Sequence, residues 1–172
     1  MKRIKQFSLF LFLLLLISGC SRKTGQTILL KNYPVNDLDG IITQTGIAFD
    51  QEVSEDGKGS LKITAIEPTI INLYETGDID VENTRLSYEA KIRTENIKGK
   101  VFLEMWCHFE GQGEYFSRNL QSFLTGTNDW SSRETFFFLK KGENPDNIKL
   151  NLVIEGTGTA WIDDIRLLKA PL

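Results

Sequence analysis

The chain reads as an all-β protein, a sandwich or barrel of antiparallel strands. Three observations predict this. From Thr27 onward polar and apolar residues alternate with period two. β-Branched and aromatic residues fill those runs, between turn clusters of Gly, Asn and Asp. No long stretch carries the spacing of an amphipathic helix. The four prolines fall at apparent strand ends or in loops, where a missing N–H does no harm to a ladder.

In chain order, the first candidate strands are residues 42–49, 60–66 and 69–74. Leu86, Tyr88, Ala90 and Ile92 then alternate with Ser87, Glu89, Lys91 and Arg93, the pattern of a strand with one buried and one wet face. Gly99 punctuates the chain. After it Val101, Leu103, Met105, Cys107 and Phe109 alternate with Phe102, Glu104, Trp106, His108 and Glu110. Residues 134–140, 149–155 and 160–169 complete the set, with Trp130 opening a strand after an Asn-Asp turn. No internal repeat or low-complexity tract is present, so residues 27–172 form one domain, long enough to bury a core of its own.

The first residues follow different rules. Met1-Lys2-Arg3-Ile4-Lys5 is basic, a Leu- and Phe-rich run follows to Ile17, and Ser18-Gly19-Cys20 ends it. A charged start, an apolar centre and small residues before a cleavage point make a secretory signal, and the apolar run is shorter than the roughly 20 residues a membrane span needs. Ile17-Ser18-Gly19-Cys20 resembles the bacterial lipobox at every position. That resemblance implies cleavage after residue 19, a lipid on the Cys20 thiol and attachment to a membrane. Ser21 in place of Asp resembles proteins sent onward to the outer membrane of a diderm host. Residues 20–26 read as the lipidated cysteine and a flexible polar tether.

Removing residues 1–19 takes away three basic residues and no acidic one, so the formal charge moves from −3 to −6. A mildly acidic domain is no partner for nucleic acid. With Cys20 committed to lipid, Cys107 is the one thiol left and no internal disulfide can form. Cys107 alternates with core-facing residues and reads as a buried, inert thiol.

Four segments carry a further resemblance. Asp56-Gly57-Lys58-Gly59-Ser60-Leu61-Lys62-Ile63 resembles the glycine turn into an early strand of carbohydrate-binding modules with the galactose-binding-like jelly roll. Residues 86–94 with 100–106 resemble their central strand pair. Asn128-Asp129-Trp130, with Phe136-Phe137-Phe138 after it, is similar to their turn and aromatic strand. Gly156-Thr157-Gly158-Thr159-Ala160-Trp161-Ile162-Asp163-Asp164-Ile165 resembles their closing strand. The resemblance implies a jelly-roll β-sandwich of two antiparallel sheets and a non-catalytic ligand-binding role. It also implies a structural calcium ion on Asp163 and on backbone carbonyls around Lys58, since Ca²⁺ takes 6–8 oxygen ligands.

Alternation places Trp161, Asp163, Ile165 and Leu167 on one face of the closing strand, taken as the core face. The alternative to calcium is that Asp163 accepts hydrogen bonds from Ser60 or from loop amides. On the strand after Gly99, the outward set Phe102, Glu104, Trp106, His108 and Glu110 combines aromatic rings, carboxylates and the single histidine. Aromatic rings stack on the C–H face of a sugar, and carboxylates and imidazole hydrogen-bond its hydroxyls. The candidate glycan-binding face is therefore Trp106 with Glu104, His108, Phe102, Tyr115, Arg118, Asn151 and Glu155. The competing reading packs Phe102 and Trp106 beneath a loop.

Nucleophile elbow, His-Glu-x-x-His and P-loop motifs are all missing from the sequence. Glu104 and Glu110, six residues apart on one strand, stand about 20 Å apart, too far for a glycosidase pair. The sequence thus predicts a lipid-anchored module that holds a glycan or another cell-envelope ligand. A structural or assembly lipoprotein, docking a protein partner through the same face, is the alternative.

Overall fold

The structure is a computed structural model and describes residues 25–172. The expected signal sequence, Cys20 and most of the expected tether lie outside the described residues. Eight strands follow one another: β1 (Ile28–Tyr33), β2 (Ile47–Asp50), β3 (Ser60–Ala65), β4 (Thr69–Thr76), β5 (Thr84–Phe109), β6 (Gly113–Arg118), β7 (Leu124–Leu139) and β8 (Asn147–Pro171). Every pairing is antiparallel. The fold is the all-β sandwich that the alternation predicts.

Two very long strands build both layers. Residues 100–109 of β5 and 147–155 of β8 pair with each other, flanked by β6 and β4, and form the first sheet. Residues 84–95 of β5 and 157–171 of β8 form the second, flanked by β7 on one side and by β1 and β3 on the other, with β2 beyond β3. Sequence reading treats each long strand as two, because Gly99 and Gly156 look like breaks. Instead the two glycines sit opposite each other at the corner where the chain passes between sheets. Their φ values of 125° and 149° are costly for other residues, and a Cβ on Gly99 would overlap the Glu155 carbonyl oxygen.

The core lies between the sheets. Leu86, Tyr88, Ala90 and Ile92 meet Val101, Leu103, Met105, Cys107, Leu150 and Leu152 there, all buried. Each fully buried aliphatic side chain contributes about 1.5–3 kcal/mol against leaving it in water. Cys107 is buried among them, and burial pushes its thiol up to about 12, so it is inert as predicted.

The closing strand corrects one expectation. Ala160 and Ile162 point into the core, and so do Ile165 and Leu167, which have the opposite parity. A bulge separates them: Lys91 opposes Asp163 while Glu89 opposes Arg166, and Asp164 takes a left-handed φ of 50°. Trp161 and Asp163 therefore lie on the outer face of the second sheet, opposite in direction to Ile162. Trp161 is buried there by its own cover. Its indole N–H donates to Asp50 Oδ2 at 2.9 Å, and Lys62 Nζ and the Arg93 guanidinium carbon stand 5.3 and 5.7 Å from its ring centroid.

Candidate functional site

Strand register decides which side chains share the outer face of the first sheet. Glu104 opposes Arg118 on β6 and Asn151 on β8, and Asn151 opposes Asn72 on β4. Trp106 opposes Phe116 and Lys149; His108 opposes Glu114 and Asn147. One face thus carries aromatic, carboxylate, amide and guanidinium groups in adjacent rows.

Glu104 is the hub, and it is not the exposed contact the sequence suggests: its exposure is 0%. Three donors converge on it. Trp106 Nε1 reaches Oε1 at 2.6 Å, Asn151 Nδ2 reaches the same oxygen at 2.9 Å, and Arg118 Nε donates to Oε2. A carboxylate sealed from water is tolerated because an ion pair and two further hydrogen bonds satisfy it. Its role is to fix the indole and the guanidinium in place.

The aromatic members divide. Phe102 is almost fully buried beneath this face, with the guanidinium of Arg118, from strand β6, 5.9 Å from its ring centroid. Trp106 is half-buried, and its ring lies 5.1 Å from that of Phe116, which is 52% exposed. Arg118 stands 4.5 Å above the Phe116 ring, so one guanidinium links Phe116 and Phe102 to Glu104. Phe116 is a member that alternation along β5 alone cannot find. The Glu110-Gly111-Gln112 loop carries the signal. A three-residue hairpin loop sets Gly113 opposite Phe109, and counting back puts Phe116 opposite Trp106.

The same count removes Tyr115. It opposes Cys107 and points to the other side, where its ring makes an edge contact with Phe109 at 5.9 Å. Around the central group the remaining charges are paired. Lys149 Nζ meets Glu114 at 2.7 Å, and His108 Nδ1 lies 2.5 Å from Asp146 Oδ1. Glu155, opposite Lys100, lies four residues along β8 from Asn151, near the glycine corner at the rim of the face. The assembled group is thus Trp106, Phe116, Arg118, Glu104 and Asn151, with His108 beside it and Glu155 at a distance.

Asp163 lies apart, on the opposite sheet. It is buried, and its two oxygens accept the amide hydrogens of Glu55 at 3.2 Å and Asp164 at 2.7 Å. Burial is the main reason its carboxyl titrates above the ordinary value; the neighbouring Asp56 and Asp164 charges add to this. Ser60 Oγ turns elsewhere and donates to the Val53 carbonyl at 2.5 Å. The Lys58 side chain pairs with Asp56 at 3.1 Å, and its amide donates to Ser54 and Asp56. Among the described residues no three His, Cys, Asp or Glu side chains form a metal-binding group. The side chains present thus fit calcium only in part: an ion at Asp163 would draw most of its ligands from main-chain oxygens.

No protein-family model matches the chain, and no curated protein matches it. Solved structures do. The CBM22-1 xylan-binding domain from Paenibacillus barcinonensis aligns at a TM-score of 0.62 with 11% identity, over 87% of this chain and 98% of that one. A family 16 carbohydrate-binding module, module 2, aligns at 0.57 with 15% identity, covering 77% of this chain and 92% of that one. A further xylan-binding domain of family 22 aligns at 0.55 with 11% identity, covering 84% and 96%. At such identities the likeness is one of fold: the chain shares the β-sandwich of carbohydrate-binding modules.

Proposed function

We propose that this protein is a lipid-anchored, non-catalytic glycan-binding module, with Cys20 as the anchor and the Trp106–Phe116 face as the binding surface. The carrying observation is the convergence of Trp106, Asn151 and Arg118 on the buried Glu104 beside a half-exposed aromatic pair. Such wiring holds the indole before a ligand arrives, so less freedom is lost on binding. A sugar ring laid on Phe116 and Trp106 presents its C–H face to the rings and its hydroxyls to Arg118, His108 and Lys149. The xylan-binding neighbours make xylan the first ligand to try.

Affinity electrophoresis through gels containing xylan tests this. Retardation of the native chain should disappear in Trp106→Ala and fall at least tenfold in Phe116→Ala, while both variants keep the native melting temperature within a few degrees. Retardation equal to that of the native chain in both variants removes the site.

Calcium at Asp163 belongs to the same proposal in a narrower form, held by Asp163 and main-chain oxygens of the loop before β3. Added Ca²⁺ should then raise the melting temperature, and EDTA should lower it. A melting curve indifferent to both retires the ion.

A further inference from the structure

The outer face of the second sheet carries a patch that glycan binding does not use. Register lines up Leu29, Leu168, Ser87 and Phe136 in one row across four strands, and Ala170, Arg85 and Phe138 in the next. Leu29 is 51% exposed and Phe138 62%, and Leu172 at the chain end is open as well. Phe136 and Phe138 touch edge to face at 5.2 Å. The cation within the patch is already spent: Arg85 stacks 4.3 Å over Phe136 and pairs with Glu134 at 2.8 Å. The surface is therefore apolar in character as well as in composition.

Exposure alone does not choose an occupant, since Ile42, Ile66 and Ile70 also lie open. Position does. The described chain begins at Gly25, which packs on the Pro171 side chain beside this patch. Five residue steps separate Gly25 from Cys20, a reach of about 17 Å when fully extended. Ile66, by contrast, follows Ala65, which pairs with Gly158, eleven residues along β8 from the Lys169 that faces Ile28. That separation is roughly 35 Å of strand.

We infer that the Leu29–Leu168–Phe136–Phe138 patch seats the domain against the lipid surface. This rests on acylation of Cys20. With so short a leash the β1 end of the sandwich cannot leave the headgroup region. Side chains such as Leu29 and Phe138 then enter the interface, where buried apolar area adds to the hold of the acyl chains. The ligand is the bilayer itself, and the consequence is a fixed orientation of the domain.

The test uses the processed, acylated chain on phosphatidylcholine vesicles. Cys107 is buried and its thiol is not reactive, so a new surface cysteine labels selectively. An environment-sensitive fluorophore on Leu29→Cys or Phe138→Cys should shift to the blue, and iodide should quench it several-fold less than the same label on Ile66→Cys. Equal quenching at all three positions overturns the inference. So does shielding that grows with the protein-to-lipid ratio, which would assign the patch to a second copy of the chain. Mass spectrometry of Cys20 separates the two levels: an unmodified thiol defeats the anchor and this inference with it, whereas an acylated Cys20 with equal quenching defeats the inference alone.

Discussion

Two tryptophans on the outer faces of the two sheets make the same bond and meet opposite fates. Trp106 on the first sheet gives its indole N–H to Glu104; Trp161 on the second gives its own to Asp50. In the first pair the carboxylate is sealed and the ring is half open. In the second the ring is sealed, and the carboxylate, carried by the edge strand β2, helps to close the lid. A buried acid under an open ring is a positioned contact surface. A buried ring under an edge-strand acid is packing. The lesson is that exposure of the ring and burial of its partner, read together, separate a binding aromatic from a structural one.

The largest expected effect attacks what keeps the two faces back to back. Gly156→Val places a side chain on the Lys98 carbonyl oxygen at a φ of 149°, and soluble folded protein should be lost altogether. A cooperative native-like melt in that variant would mean the corner is not fixed by its glycines.

Next comes the contrast between the tryptophans themselves. Trp161→Ala removes a buried ring and should cost about 3–5 kcal/mol in denaturant unfolding, yet leave xylan retardation of the folded fraction unchanged. Glu104→Ala should cost less, about 2–3 kcal/mol, because Arg118 and Trp106 can turn partly to water. It should nevertheless weaken binding strongly by freeing both groups. Reversal of that pattern, with binding lost in Trp161→Ala and kept in Glu104→Ala, breaks the comparison.

The smallest effect lies beneath the second face. Burial raises the Asp163 carboxyl above its ordinary value of 3.8, so the folded state holds the proton more tightly than the unfolded chain. The stability this contributes is complete below the unfolded value and is lost as pH rises through the folded one. In EDTA, with calcium excluded, the melting temperature of the native chain minus that of Asp163→Asn should therefore fall as pH rises from 3 to 7. A difference that grows with pH contradicts the assignment.

Period-two alternation made most strands legible, and it placed Glu104, Trp106, Asn151 and His108 on one face correctly. It failed where backbone geometry interrupts the period. A single left-handed residue, Asp164, reverses the parity of the closing strand, and nothing in the Asp163-Asp164 pair announces a bulge. Extended glycines at Gly99 and Gly156 continue the ladder where glycine usually ends one. β1 escaped notice because Ile28, Leu29 and Leu30 run together without alternating. Burial also lies beyond alternation: Phe102 and Glu104 point outward in register yet are covered by Arg118 and their neighbours.

The central claim is that the Trp106 face, and not another aromatic surface, meets the glycan. Titration of the ¹⁵N-labelled protein with xylo-oligosaccharides reads all three indole N–H signals separately. The account predicts a saturable shift of the Trp106 indole and the Arg118 Nε–H, with the Trp161 indole unmoved. A shift confined to Trp130 or Trp161, with Trp106 silent at saturation, would contradict it.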